Sequence, residues 1–578
     1  MNEIKEIPYG VSDFVVVREQ NLYYVDKTMY LSELERQSRF IFFIRPRRFG
    51  KSLFISMMQA YYDKAMSDRF ERLFGGLAVA AHPTPNRNRY QVLYLDFSQV
   101  GGSIAQLEEK FDNYCCVQLD AFVRRYEKDY TSDEIAYFAR ATNASAKLNV
   151  LAAISKAHEI PLYLIIDEYD NFTNTVLNEE GEAVYHAMTH AEGFYRDMFK
   201  KFKGNFERIF MTGVSPVTLD DVTSGYNIGW QLSTNELFDK MLGFSTQDVR
   251  ELFTYYKEAG SLPADTDVEA LIEEIKPWYN NYCFSEGCLH DGNSVFNCDM
   301  VLYYLRHYVN RGCSPKQMLD PNTKTDYAKL RKLLQLDQLD GDRKGVIRTI
   351  AEQGEIVGEL YDSFPASEIT QPEKFVSLLF YYGMLTLKDT RGRRLLFGIP
   401  NNNVRVQYYN YLLENYNPIS RIQLNTLYDY FDLMSFDGQW REALQYIADA
   451  YKNVSSVRDA IEGERSIQGF FMAYLSLNDY YLTAPELELS HGYCDFFLLP
   501  NLTHYQSRHS YIIEIKYLPR KDYETQAPQQ WAQAVEQING YALAPRVEAL
   551  RQGTQLHKIV MQFAGWDLVR MEEVEYEV

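Results

Sequence analysis

The chain of 578 residues carries a formal net charge of −20, with 46% hydrophobic and 24% charged residues. This composition is that of an ordinary soluble globular protein, and the length implies three or four domains of about 100–200 residues each. We expect a cytoplasmic protein without a membrane partner, because no apolar run is long enough to span a bilayer and the N-terminus lacks a signal peptide's apolar core.

Four short apolar runs in the first 215 residues indicate buried strands. They lie at 40–44, 92–97, 162–166 and 206–212. The runs are continuous rather than alternating, as in strands that are covered on both faces. Helical sequence lies between them at 52–66, 104–128 and 182–203. This alternation predicts an α/β fold with a parallel sheet and helices on both sides.

The remaining chain is predicted to add helices and a second sheet. Polar helical sequence dominates 246–365, and 372–400 is typical of a small winged-helix-like piece with a helix, a turn and a hairpin. Helices up to 478 and strands near 486–499 and 511–517 follow. The predicted domains are 1–245 with the parallel sheet, 246–365 as a helical extension, 366–415 as the winged-helix-like segment, and 416–578 as an α/β domain.

The first candidate site is the loop "RPRRFGKS" at 45–52, directly after the strand at 40–44. A phosphate-binding loop requires a strand, a turn with inward backbone N–H groups, a lysine, and a helix starting at a hydroxyl residue. Lys51, Ser52 and the helical sequence after them meet this pattern. The glycine expected first is Arg45, and we predict that Pro46 fixes the turn differently.

Asp167 and Glu168 supply the second half of such a site at the end of the strand 162–166. Mg²⁺ on a triphosphate needs an oxygen ligand there, and an attacking water needs a neighbouring carboxylate. Two acids could equally cap the loop after a core strand. The further strand that ends in Thr212 and Gly213 favours the phosphate-binding interpretation.

Five segments carry a resemblance to a known family. They are "YYVDKT" (23–28), "RPRRFGKS" (45–52), "IIDEYD" (165–170), "MTGVSPV" (211–217) and "SGYNI" (224–228). Over roughly the first 290 residues the chain resembles the AAA-ATPase-like family often found in anaerobic gut bacteria, in which the arginine-rich loop without its first glycine is the usual form. The resemblance implies a P-loop NTPase sheet that binds ATP. The implied cofactor-binding residues are Arg45, Pro46, Arg47, Arg48, Phe49, Gly50, Lys51, Ser52, Asp167 and Thr212.

Within that site the resemblance also implies individual roles. Lys51 contacts phosphate, Ser52 and Asp167 hold Mg²⁺, Glu168 is the candidate base, and Thr212 lies near the γ-phosphate.

The second candidate site combines Asp495, Glu514 and Lys516. Alternate residues of a strand share a face, so a hairpin can bring Asp495 and the pair Glu514 and Lys516 together. Two carboxylates can hold Mg²⁺ or Mn²⁺ while a lysine supports the attacking water, which is the chemistry of phosphodiester hydrolysis. An amphipathic hairpin with a surface salt bridge is the alternative, because Glu-x-Lys alone is common.

Flanking residues strengthen the catalytic interpretation. Glu464 on a preceding helix offers a third metal ligand, and Gln537 and Tyr541 lie four apart on one face of a following helix. With these residues, about 460–565 resembles the PD-(D/E)XK nuclease superfamily, specifically the nuclease-like domain commonly fused to this ATPase family. Glu488 matches a further acidic position of that pattern. Gly492-Tyr493 departs from its Gly-Arg pair, which puts substrate contacts in doubt.

Cysteines indicate no disulfide framework. Seven are spread unevenly, and Cys283, Cys288, Cys298 and Cys313 near His290 lack the tight spacing of a zinc site. Buried thiols are the better interpretation.

The sequence therefore predicts ATP binding and hydrolysis coupled to metal-dependent cleavage of nucleic acid, with DNA favoured. The alternative is a nucleotide-gated switch or interaction protein whose nuclease-like domain binds nucleic acid without cleaving it. The net charge of −20 opposes indiscriminate polyanion binding, but it leaves room for a locally basic groove. The oligomeric state stays open.

Overall fold

The computed structural model describes residues 4–101, 106–171, 193–217, 230–289, 292, 294–320, 343–369, 371–454, 463–489 and 492–575. The chain divides into two compact units, Met1–Val346 with Ile356–Asn402 and Ile347–Glu355 with Asn403–Val578. The finer division into four domains stays a prediction.

Helices alternate with strands in the N-terminal part of the chain. The helices before residue 400 are α1 (Phe14–Glu19), α2 (Tyr30–Glu35), α3 (Lys51–Tyr62), α4 (Phe70–Phe74), α5 (Ala78–Ala81), α6 (Leu107–Arg125), α7 (Ser132–Ala139), α8 (Ala144–Ala157), α9 (Phe194–Asn205), α10 (Thr246–Glu258), α11 (Val268–Tyr279), α12 (Cys298–Arg311), α13 (Arg343–Gln353) and α14 (Pro372–Tyr381). The strands there are β1 (Phe40–Ile44), β2 (Gln91–Asp96), β3 (Leu162–Asp167), β4 (Arg208–Gly213), β5 (Trp230–Gln231), β6 (Glu355–Gly358), β7 (Thr386–Arg391) and β8 (Arg394–Gly398).

The predicted parallel sheet is confirmed. Its strand order is β2-β3-β4-β1-β5, and every ladder in it is parallel. Ile44 is level with Gly213, and Asp96 is level with Asp167, so the carboxyl ends of the strands meet at one edge. Ligands of open parallel sheets bind at that edge.

Two helices in this region differ from their predicted bounds. The helix expected at 52–66 ends at Tyr62, because Asp63 turns out of the helix and its carboxylate accepts a 2.7 Å hydrogen bond from Ala65 N, opening a short 3₁₀ helix, Lys64–Arg69. The helix expected at 182–203 is described from Phe194 onwards. Helices α7 and α8, which the apolar pattern did not reveal, begin at the side-chain caps Thr131 and Asn143.

The helical extension has its own core, built from α10, α11 and α12. Val249, Leu252, Ile275 and Val301 are among its buried side chains. The winged-helix-like piece contains α14, a turn at Gly383 and the antiparallel hairpin of β7 and β8, with β6 along β8.

The second unit contains a mixed sheet with helices before and after its strands. The helices are α15 (Asn402–Ser420), α16 (Leu424–Asp437), α17 (Arg441–Val454), α18 (Glu464–Leu475), α19 (Arg520–Ala542) and α20 (Pro545–Leu550). The strands are β9 (Tyr481–Leu489), β10 (Gly492–Pro500), β11 (His509–Leu518), β12 (Gln555–Ala564) and β13 (Asp567–Glu573).

This sheet has the order β13-β12-β11-β10-β9. Only β11 and β12 pair in parallel among its described ladders, and α19 connects them and covers the sheet through Trp531, Ala534 and Ile538. The strand predicted at 486–499 contains parts of β9 and β10, which pair antiparallel. Strands β12 and β13 were not predicted.

Gly213 gives a stability test of the first sheet. A Cβ atom there would lie 2.3 Å from Asp170 Oδ1 and 2.6 Å from the ring of Tyr169. We expect Gly213→Ala to lower the free energy of unfolding by about 1–3 kcal/mol, as overpacking typically does. Gly204→Ala is the matched control, because a Cβ there meets nothing within 4 Å. Urea unfolding of both variants measures the difference, and equal midpoints would contradict the packing argument.

Candidate active sites

The loop between β1 and α3 turns at two residues with left-handed backbone, Arg48 (φ 66°) and Gly50 (φ 88°). Arg45, which replaces the usual first glycine, is not among the residues with positive φ. A side chain at that position therefore causes no backbone strain. This explains how the loop forms without its first glycine.

Lys51 is buried and lies over this loop. Its ammonium donates to Arg45 O at 3.1 Å and Pro46 O at 3.2 Å, and it is 3.6 Å from Glu168 Oε1. Glu168 itself has a left-handed backbone (φ 50°), which directs the chain sharply out of β3. The predicted lysine and the predicted base thus lie together.

Ser52 and Asp167 form the second contact of this site. Ser52 Oγ donates to Asp167 Oδ2 at 2.7 Å. Burial, and next the charge of Glu168, raise the pKa of Asp167 to about 6, although the Ser52 hydrogen bond and Lys51 oppose them. A carboxyl group with this pKa is partly ionised near neutrality and would be fully ionised by a cation at the site.

Thr212 lies at the end of β4, level with Phe43 of β1. Its carbonyl accepts a 3.1 Å hydrogen bond from Tyr169 N, which ties the β3 turn to β4. Its hydroxyl is buried and makes no hydrogen bond within the described structure. A buried hydroxyl of this kind is available to a ligand's oxygen.

A cavity of about 290 Å³ adjoins the loop. Lys51, Ser52 and Glu168 line one side of it, together with Arg47 and Arg48. The rest of the wall is mostly apolar, which suits a nucleoside better than a bare phosphate. Its contributors are Pro8, Tyr23, Tyr24, Val25, Leu242, Phe244 and Leu302.

Four of the predicted cofactor-binding residues, Arg45, Pro46, Asp167 and Thr212, are not among the residues that line the cavity. The Arg45 guanidinium is buried, donates to the carbonyls of Phe238 (3.2 Å) and Asp239 (3.4 Å), and stacks over Phe43 and Phe284. The Arg45 carbonyl accepts from Lys51, and the cofactor-binding role of Arg45 stays a prediction. Its side chain fixes the position of the loop.

The second candidate site is built on neighbouring strands. In the antiparallel ladder of β10 and β11, Phe496 pairs with Ile513, which places Asp495 opposite Glu514 one step further on. Asp495 accepts hydrogen bonds from Ile515 N (2.6 Å) and Gln468 Nε2 (2.7 Å). The predicted hairpin geometry brings the two carboxylates together.

Glu514 and Lys516 complete the trio. Lys516 Nζ donates to Glu514 Oε1 at 2.7 Å, while Glu514 Oε2 is buried without a hydrogen-bond partner in the described structure. Burial, and next the charge of Glu514, raise the pKa of Asp495 well above its usual range. Burial also raises the pKa of Glu514, against the opposing charge of Lys516. With both carboxyls ionised, the pair would carry one more negative charge than the Lys516 ammonium neutralises.

Glu464 lies beside this trio at the start of α18. Its Oε2 accepts from Tyr517 N at 3.3 Å, and its charge adds to the raised pKa of Asp495. No three His, Cys, Asp or Glu side chains of the described residues form a group that could hold a metal ion. The metal set of Glu464, Asp495 and Glu514 therefore stays a prediction.

The two predicted residues of α19, Gln537 and Tyr541, differ in exposure. Tyr541 is buried, and burial followed by the charge of Glu514 raises its pKa to about 12. Gln537 is exposed. Glu488 pairs with Tyr493 in the ladder of β9 and β10, but its side chain, like the segment 224–228 and His290, is outside the described residues.

Comparison with known proteins matches the region around each candidate site to a known family or superfamily. Residues 8–223 match the model of the AAA-ATPase-like family, described as a predicted AAA-ATPase, and residues 462–573 match the PD-(D/E)XK nuclease superfamily. The chain carries both domains. An uncharacterized protein in the vnfD 5′ region of Azotobacter chroococcum mcd 1 is 26% identical over 311 residues, 52% of each chain. The chain thus spans about half the length of that curated relative.

Sequence reasoning missed two positioning residues of these domains. In the AAA-ATPase-like domain, the buried Asp170 accepts from Val214 N (3.1 Å) and Ser215 N (2.5 Å), which joins the turns after β3 and β4. In the nuclease-superfamily domain, Gln468 holds Asp495 and lies four residues after Glu464 on α18. The i, i+4 spacing of Glu464 and Gln468 on one helix face could have indicated Gln468 from the sequence.

The cysteines of the helical extension are free thiols. Burial raises the pKa of Cys283 and of Cys298 to about 12, so both thiols are protonated at neutral pH. Cys298 Sγ contacts Arg48 O at 3.2 Å and so packs against the phosphate loop. Among the described helices, none has the length and apolar character needed to cross a membrane.

Proposed function

We propose that this protein binds and hydrolyses ATP at the first site and cleaves nucleic acid, with DNA as the preferred substrate, at the second. The observation that carries the proposal is the meeting of the buried Glu514 with the half-buried Asp495 and Lys516. Removing two carboxylates and one ammonium from most of their water is costly for stability alone, and such perturbed groups concentrate at functional sites.

At the first site the chain's own groups have distinct tasks. Lys51 contacts the β- and γ-phosphates, and Ser52 with Asp167 holds Mg²⁺. Glu168 orients the attacking water and takes its proton. The hydroxyl of Thr212 contacts the γ-phosphate. The apolar wall of the 290 Å³ cavity receives the nucleoside.

At the second site the residues fit a divalent cation. Glu514 Oε2 is buried and unpartnered in the described structure, and the two carboxylates outnumber the ammonium of Lys516. Bound Mg²⁺ or Mn²⁺ polarises a phosphodiester and acidifies a water. Asp495 and Glu514 would hold the ion, and Glu464 is the third candidate ligand. Lys516 then stabilises charge on the phosphate oxygens, and Gln468 keeps Asp495 in place.

The alternative function is a nucleotide-gated protein that binds nucleic acid without cutting it. Binding alone does not require the Asp495, Glu514 and Lys516 trio, and this favours cleavage. The deciding experiment is a cleavage assay on single- and double-stranded DNA and RNA with Mg²⁺, Mn²⁺, Ca²⁺ or chelator, each with and without ATP. Cutting with Mg²⁺ or Mn²⁺ but not with chelator supports the nuclease. ATP hydrolysis without any cutting favours the gated binder.

The pKa of Asp167, about 6, predicts a pH dependence of metal–nucleotide binding. Below this pH the carboxyl group takes up a proton, and a neutral carboxyl is a poorer ligand for Mg²⁺. We expect the affinity for Mg²⁺-ATP to fall as pH is lowered from 7.5 to 5.5, as measured by calorimetry. Asp167→Asn is the control, because it has no proton to gain. The same pH slope in both proteins would contradict the assignment.

A further inference from the structure

The hairpin of β7 and β8 ends in a basic tip. All seven residues from Lys388 to Arg394 are exposed, and Gly392 (φ 66°) makes the tight turn. Four of these side chains are basic and one is acidic, in a chain whose net charge is −20. The basic residues are Lys388, Arg391, Arg393 and Arg394. Neither candidate site uses them.

The base of this hairpin is fixed to the helical extension. Cys283 N donates to Thr386 Oγ1 at 2.8 Å, and Leu387 N donates to Cys283 O at 3.2 Å. Leu395 and Phe397 on β8 are buried. The tip therefore projects from an anchored base rather than from a loose loop.

The same base contacts the phosphate loop. A Cβ atom on Gly383, at the turn before β7, would lie 2.8 Å from Pro46 Cβ. Phe49 packs edge-to-face on Tyr282, with ring centroids 4.9 Å apart, and Tyr282 precedes the anchoring Cys283. Pro46 and Phe49 thus touch the elements that hold the hairpin, while Phe49, Gly50 and Lys51 line the nucleotide cavity.

We propose that the hairpin tip Lys388–Arg394 contacts the phosphate backbone of nucleic acid, and that the phosphate loop sets its position. The inference rests on the proposed nucleic-acid substrate. Guanidinium groups on a projecting hairpin suit a row of phosphates, because each forms charge-assisted hydrogen bonds and the contact needs no base recognition. The local excess of positive charge at the tip complements the charge of a phosphate backbone, although the chain as a whole is acidic.

Charge-reversal variants test whether the hairpin tip binds nucleic acid. We compare Arg391→Glu/Arg393→Glu/Arg394→Glu with the control Arg124→Glu/Lys128→Glu/Arg140→Glu, which changes three exposed residues of the same unit by the same charge. All proteins are full-length and carry Asp495→Asn, so that a labelled oligonucleotide stays intact. Fluorescence anisotropy between about 50 and 200 mM salt gives the affinity and its salt dependence.

We expect the hairpin variant to bind about tenfold or more weakly, with a log–log salt slope reduced by about 2–3, and the control to bind like the parent. Equal binding by the two triple variants overturns the inference and leaves the cleavage proposal standing. A parent protein that binds no oligonucleotide overturns this inference and the proposed substrate together.

The link to the phosphate loop has its own test. We expect saturating Mg²⁺-ATP to change the oligonucleotide affinity of the parent by about fivefold or more. Tyr282→Leu removes the ring that packs on Phe49 and should abolish this difference while ATP still binds, whereas Tyr282→Phe should retain it. No effect of ATP in the parent, or a full effect in Tyr282→Leu, overturns the link. Where Tyr282→Leu does not fold, the parent measurement decides.

Discussion

Lys51→Ala is expected to weaken nucleotide binding by about 2–5 kcal/mol, as loss of one partner of a buried charge pair typically does. In its proposed role the ammonium would contact phosphate in the ground state and in the transition state, so we expect binding and hydrolysis both to fail. Lys51 is buried and lies between the loop carbonyls and Glu168. Calorimetry with Mg²⁺-ATP measures the loss.

Glu168→Gln separates binding from hydrolysis at the same site. Glutamine keeps the shape but cannot take a proton, so kcat for ATP should fall by about 10²–10⁴-fold with binding retained. Glu159→Gln and Lys156→Ala, on exposed residues of the same domain, are matched controls. Unchanged turnover in both Lys51→Ala and Glu168→Gln would refute the nucleotide site.

The sequence predicted the parallel sheet because its strands are buried on both faces and so form continuous apolar runs. The bounds of β2 and β3 lie within one residue of the predicted ones, while β4 begins two residues later and ends one residue later than predicted. Differences of one or two residues are usual at the ends of elements. The mixed sheet was predicted only in part. Strands β12 and β13 follow α19, and their pairing with β11 depends on contacts that are distant in sequence.

The phosphate loop shows which part of a site a motif can predict. Lys51 and Ser52 were predicted as site residues because the chemistry of phosphate binding requires those residue types at that spacing. The contacts of the Arg45 side chain were not predicted. Its partners, the carbonyls of Phe238 and Asp239, are almost two hundred residues away in the chain. The cavity wall from Pro8, Tyr23 and Leu302 was missed for the same reason.

At the second site, too, spacing predicted some residues, and contacts distant in sequence were missed. The grouping of Asp495, Glu514 and Lys516 was predicted because alternate residues of a strand share a face, and this spacing can be counted in the sequence. The hydrogen bond from Gln468 and the unpartnered Glu514 Oε2 depend on how α18 packs against the sheet. Local spacing therefore predicted that these three side chains meet, and only the folded structure identifies the groups that position them.

Asp495→Asn is expected to lower cleavage by at least about 10²-fold, because an amide is a poor ligand for Mg²⁺ or Mn²⁺. The change preserves volume, and asparagine can still accept the hydrogen bond from Ile515 N. Lys516→Ala should also stop cleavage but should weaken metal binding less, since an ammonium is not a ligand. Asp479→Asn, on an exposed residue of the same domain, is the matched control.

Stability gives this prediction a readout that does not depend on activity. Burial and Glu514 raise the pKa of Asp495, so ionising it at neutral pH costs folding free energy, and the metal-free protein should lose stability as pH rises toward and through that pKa. Asp495→Asn removes this cost and should raise the melting temperature at pH 7 without metal. Mg²⁺ should then stabilise the parent but not the variant. If Mg²⁺ raised both melting temperatures equally and Asp495→Asn cut at the parental rate, the trio would be structural only.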